Sequence, residues 1–174
     1  MFYAGAMLAT PASCVDASGS AQATGACAAD VCRGVTRMLL RHDLHAIAEV
    51  PLEGGRRADL MAVDARGRLV IVEIKVSRVD LMGDAKWPDY LAHCDRYYWA
   101  VPAGFDLAPF DTPAFLPQRT GVIVADRYDA EIVREAADVA LAAHVRRRCT
   151  LAFARRAARR VMALSDPDAD GLAR

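Results

Sequence analysis

The sequence has no excess of either charge, no closely spaced cysteine pair and no long apolar run, and each lack removes a class of protein. Its 22 lysine and arginine residues are matched by 22 aspartate and glutamate residues, so no global basic field advertises nucleic acid or anionic lipid. Any such partner has to be met by a local patch. Five cysteines, Cys14, Cys27, Cys32, Cys94 and Cys149, make an odd set without a C-x-x-C pair or a histidine at zinc spacing. They read as thiols of a reducing compartment, neither a disulfide framework nor a zinc site. No apolar stretch comes near the roughly 18 residues needed to cross a bilayer, which points to a cytoplasmic protein without a membrane partner. Residues 1–26, rich in Ala, Ser, Gly and Thr, lack the basic and apolar regions of a secretory signal and are expected to form a flexible lead. A glycine-rich phosphate loop and a nucleophile-elbow motif are missing too, which argues against a metabolic enzyme.

What is present is a chain of 174 residues that is 54% apolar, long enough for one domain with a proper core and short for two. Val31, Cys32, Val35, Met38 and Leu39 recur at three- and four-residue steps and predict a helix from Ala28 to about His42. The segment HAIAEVPL reads as a first strand, with the Gly54–Gly55 pair as the turn after it. A second strand is expected from Arg57 to Val63 and a third across LVIVEIKVSR, residues 69–78. A short helix should start at Pro88, since proline is tolerated in a first helical turn. RYYWAVP and TGVIVAD supply further strands, followed by a short extended piece near Glu131 and a long alanine- and arginine-rich helix from about Glu135 to Leu164. Residues 27–164 thus form one domain, with residues 165–174 as a loose tail. The order implies an α/β fold, a mixed sheet flanked by helices.

The third strand poses the chemical question, because Glu73 and Lys75 sit within a run of branched aliphatic residues. Strand alternation puts both on one face, opposite Val72, Ile74 and Val76. Upstream, Ala65, Arg66 and Gly67 make a three-residue hairpin loop with glycine where a left-handed residue is required. That loop pairs Asp64 with Arg68, and counting outward sets Asp59 directly opposite Glu73. Carboxylates opposed across a strand pair have Cβ atoms about 4.5 to 5.5 Å apart and repel. Lys75 supplies part of the missing positive charge, and a divalent cation such as Mg²⁺, which takes carboxylates, a carbonyl and water, fits the remainder. A salt-bridged sheet face is the competing interpretation.

Asp59 in RRADL followed by Glu73 and Lys75 in VEIKVSR, set in a helix, three strands, helix, strand order, resembles the PD-(D/E)XK nuclease superfamily with its restriction-endonuclease-like sandwich. The segments EIKVSRVDLMGDAKWPDYLAHCDRYYWAVP and LPQRTGVIVADRYDAEIVR more narrowly resemble the MmcB family of DNA-repair proteins. The resemblance implies DNA as substrate, Mg²⁺ as cofactor with Mn²⁺ as a substitute, other repair proteins as partners and a nucleoid-associated location. It implies Asp59, Glu73 and the carbonyl of Ile74 as metal ligands and Lys75 as the residue that orients or activates the attacking water. The superfamily often carries a further acid on the first helix; no glutamate stands there, and Glu49 or Asp30 would have to serve, Glu49 being preferred. The same fold also occurs as a DNA-binding module without catalysis.

Other polar residues are candidates for substrate contact. Arg56 and Arg57 follow the glycine pair, and Ser77, Arg78 and Lys86 lie on the segment that leaves the third strand. The aromatic group Trp87, Tyr90, Tyr97, Tyr98 and Trp99 could stack on bases but fits a core better. From His144 to Leu164 the chain carries seven arginines and no acid, a stripe suited to a DNA backbone or to a solvated helix face.

Overall fold

A computed structural model describes residues 27–166 and Asp168. The lead expected over residues 1–26 and most of the tail expected over residues 165–174 lie outside the described residues.

The alternating and 3.6-residue patterns become an α/β fold built on one six-stranded mixed sheet. Helix α1 (Ala28–Arg41) precedes three antiparallel strands, β1 (Leu44–Pro51), β2 (Arg57–Asp64) and β3 (Leu69–Ile74). Helix α2 (Arg78–Gly83) and a 3-10 stretch (Trp87–His93) lead to β4 (Arg96–Pro102), which runs parallel to β3. Strand β5 (Thr120–Ala125) continues parallel, β6 (Ala130–Arg134) returns antiparallel, and helix α3 (Ala143–Ser165) ends the domain. Neighbours in the sheet follow chain order throughout.

Two cores cover the two faces of the sheet. On one, Val31, Val35, Met38 and Leu39 of α1 pack on Leu60, Val70, Val72, Tyr98 and Ile123. Gly34 permits that approach: a Cβ there would lie 2.0 Å from the carbonyl oxygen of Asp126 and 2.4 Å from that of Asp129. The opposite face is aromatic. Trp87, Tyr97, Trp99, Phe110 and Phe115 pack with ring centroids 5.2 to 6.4 Å apart, an edge-rich arrangement that favours a rigid core. The aromatic group of the sequence is therefore core, and Trp87, Tyr90, Tyr97, Tyr98 and Trp99 are all buried.

Three boundaries differ from the periodicity. Strand β3 stops at Ile74, and α2 forms where the sequence suggests continued extension, because Ser77 caps it by accepting the Asp80 N–H at 3.1 Å. The segment expected as a helix from Pro88 is a 3-10 stretch that starts one residue earlier. Helix α3 starts at Ala143 and not near Glu135. Residues 135–142 instead run past Asp95, whose carbonyl accepts the Val139 N–H at 2.9 Å and whose carboxylate accepts the Leu141 N–H at 3.0 Å. Those bonds override the helix propensity of EAADVALAA. Among the described residues no helix is long and apolar enough to cross a membrane.

Candidate functional site

The β2–β3 hairpin closes as its sequence requires. Gly67 takes a left-handed φ of 74°, its N–H reaches the Asp64 carbonyl at 2.9 Å, and the Asp64 N–H donates to Arg68 at 3.1 Å. The register runs Val63 to Leu69, Ala62 to Val70, Met61 to Ile71 and Leu60 to Val72. One step further, Asp59 stands opposite Glu73, as the spacing predicts. There the regular ladder gives way to a reciprocal exchange: the Asp59 N–H donates to Glu73 Oε1 at 3.1 Å and the Ile74 N–H donates to Asp59 Oδ2 at 2.9 Å.

The adjacent strand is irregular at the same level. Between the pairs Ala48 to Leu60 and Val50 to Ala58, Glu49 takes φ 58°, a left-handed conformation uncommon for a residue with a side chain. Across this kink β1 and β2 change faces: Ala48 and Leu60 belong to the α1 core, Val50 and Ala58 to the aromatic core. Glu49, Asp59 and Glu73 thus form one row across three strands.

Burial makes the Asp59 and Glu73 members of this row electrostatically unusual. Glu73 is 3% exposed, and burial, together with the charge of Asp59, pushes its carboxyl up to about 8. Burial also raises Asp59, against the opposing pull of the Ile74 N–H, of Lys75 and of a hydrogen bond with the Glu73 side chain. Lys75, one of only two lysines in the chain, is 7% exposed. Burial alone would lower its pKa, but the ion pair of Nζ with Asp84 Oδ2 at 2.8 Å outweighs it, and Asp80 Oδ1 lies at 3.7 Å, so the ammonium is held above its ordinary range. Asp84, the C-cap of α2, is a site residue that the sequence reading missed. The signal was its spacing four residues beyond Asp80, which returns both acids toward Lys75 once the segment is helical.

Asp59, Glu73, Lys75 and the Ile74 backbone are thereby brought together; the remaining candidates are not. Glu49 turns its carboxylate to arginines, 3.0 Å from Arg156, 3.6 Å from Arg160 and 3.6 Å from Arg57. Asp30 pairs with Arg127 at 3.4 Å. Arg56 is tied to Asp89 through two hydrogen bonds of 3.0 and 2.7 Å, Ser77 caps α2, and Arg78 is paired with Asp106. Arg57 and Lys86 are exposed. Among the described residues no three His, Cys, Asp or Glu side chains cluster closely enough to cage an ion. A buried and a half-buried carboxylate facing each other nevertheless fit a hard cation that keeps much of its water, as Mg²⁺ does.

The family model described as DNA repair protein MmcB-like matches residues 16–168. No curated protein matches. A solved structure of a protein of unknown function from Silicibacter pomeroyi is 42% identical, with a TM-score of 0.69 over 79% of this chain and 90% of that one.

Proposed function

Because the chain belongs to the MmcB-like family of DNA repair proteins, we propose that it is a Mg²⁺-dependent DNA endonuclease of PD-(D/E)XK type acting in repair. The observation that carries this reading is the buried Glu73 set against the half-buried Asp59, whose charge opposes its ionisation, with Lys75 beside them. The helix, three strands, helix, strand order supports it as well.

In this reading Asp59 and Glu73 hold the ion, with the Ile74 carbonyl as a further candidate oxygen. Mg²⁺ bound there lowers the pKa of a coordinated water and neutralises charge that develops on the phosphate. The chain's own residues do the rest. Lys75 remains protonated at neutral pH because Asp84 holds it so, hence it donates to the water or to a phosphate oxygen and does not act as a base. The reciprocal bonds fix both carboxylates to backbone, so their geometry is set before substrate arrives.

A second reading, a DNA-binding adaptor without catalysis, is favoured by one specific observation: Glu49, the preferred further acid, is occupied by arginines. A plasmid-nicking assay separates the two. The nuclease nicks with Mg²⁺ or Mn²⁺, stops with EDTA, and loses at least about a hundredfold in rate in Asp59→Asn and Lys75→Ala, in line with the general scale of removing a metal ligand or an electrostatic donor. Calorimetric titration with Mn²⁺ should show weakened binding in Asp59→Asn and retained binding in Lys75→Ala. Salt-sensitive DNA binding with no cleavage under any of these conditions establishes the adaptor instead.

A further inference from the structure

We propose that the outward face of α3, through Arg147, Arg155 and Arg159, is a docking surface for a DNA backbone that leads toward the Asp59–Glu73 row. The proposal deepens the DNA-directed reading above and rests on it.

The seven arginines of α3 divide into two sets. Four are spent on the domain itself. Arg146 forks onto Asp95, Arg148 meets Glu53 at 2.9 Å, and Arg156 and Arg160 share Glu49. With Val145, Cys149, Ala152 and Phe153 in the aromatic core, these contacts fix which side of the helix faces inward. The other three, Arg147, Arg155 and Arg159, are exposed and form no ion pair among the described residues.

At 100° and 1.5 Å per residue the three fall within an arc of about 120° and span roughly 18 Å of helix. No acid occurs from Ala143 to Leu164 to soften their mutual repulsion, and like charges four apart, as in Arg155 and Arg159, disfavour a helix. A row of phosphates supplies that charge from outside. Guanidinium suits phosphate oxygens by its fork of donors, and the matched numbers of acids and bases in the whole chain leave this stripe as a local feature and not part of a general basic field. Its position joins it to the site: Arg156 and Arg160, each adjacent in sequence to a free arginine, hold Glu49, which stands in one row with Asp59 and Glu73.

The test is the salt dependence of binding to a fluorescent duplex, read by anisotropy in EDTA between roughly 50 and 200 mM KCl. Each lost phosphate contact lowers the slope of log K against log salt by about 0.9. The triple variant R147A/R155A/R159A should therefore have a slope shallower by about 2 to 3, so that a fourfold rise in salt costs wild type about 40 times more affinity than the variant. Its lysine counterpart, R147K/R155K/R159K, should restore most of the slope. Circular dichroism melting verifies folding, and the single variant Arg155→Ala, with an expected change of about 0.9, serves if the triple variant fails to fold. Tight binding by wild type with slopes differing by less than about 0.5 overturns the docking surface alone. Absence of salt-dependent binding by wild type overturns it together with the DNA-directed reading.

Discussion

The two ends of β3 handle buried charge in opposite ways. At its start, Asp95 is 1% exposed and fully served: its carboxylate accepts the Leu69 N–H at 2.7 Å, the Leu141 N–H at 3.0 Å and both arms of Arg146 at 2.7 and 2.6 Å. Burial would raise its pKa, but those donors outweigh it and hold it below the ordinary carboxylate range. At the other end Glu73 is equally buried, yet it faces a second acid, and the nearby Lys75 is shared with Asp80 and Asp84. One carboxylate is a finished structural joint that stays ionised, whereas the other is held toward its protonated form by burial and by Asp59. A buried carboxyl is thus not one kind of object: the donors and charges around it decide whether it stays ionised and anchors the fold or is pushed toward its protonated form.

The widest gap between the two ends should appear on deleting Asp95. Asp95→Ala takes the carboxylate from two backbone N–H groups and from Arg146, which keeps only the Gly67 carbonyl at 2.8 Å, and should cost about 3 to 5 kcal/mol by urea denaturation. In wild type this contribution is present above the ordinary carboxylate pKa and is lost as pH falls through the lowered folded value of Asp95. A loss below about 1 kcal/mol would show that the joint is not a stabilising one.

Glu73→Gln should act with the reverse sign. A carboxyl raised from 4.5 to about 8 binds its proton more tightly in the folded chain, so it favours folding at low pH, and that advantage disappears as pH rises through about 8. The variant should match wild type near pH 5 and exceed it above pH 8 by roughly 2 to 4 kcal/mol in metal-free buffer, measured as urea midpoints. If wild type keeps its stability across that range, Glu73 is not an unrelieved charge. The smallest change is expected for Glu49→Gln, which weakens partly exposed pairs to Arg57, Arg156 and Arg160 and should cost about 0 to 1 kcal/mol. Faster amide exchange in the second half of α3 would locate that loss.

Much of the frame was legible before any coordinates. The period of two, the glycine of the Ala65–Gly67 loop and the proline and glycine breaks located the strands, and the hairpin count set Asp59 against Glu73. The site was legible only in part. Lys75 was identified but not its holder Asp84, since α2 depends on a cap that a continued strand pattern masks. Glu49 was assigned because the chain bends back two residues beyond it toward the strand carrying Asp59, and the register sets it between the pairs Ala48 to Leu60 and Val50 to Ala58. Its carboxylate, however, answers to arginines more than a hundred residues later.

Sequence by itself determined the strands, their register through the hairpin and the meeting of two acids, because alternation and turn stereochemistry act over a few residues. Tertiary structure alone decided which charges are neutralised: Arg146 on Asp95, Asp84 on Lys75, Arg156 and Arg160 on Glu49. Ion pairing at a few ångströms depends on how helices dock against the sheet, and no local pattern encodes that distance.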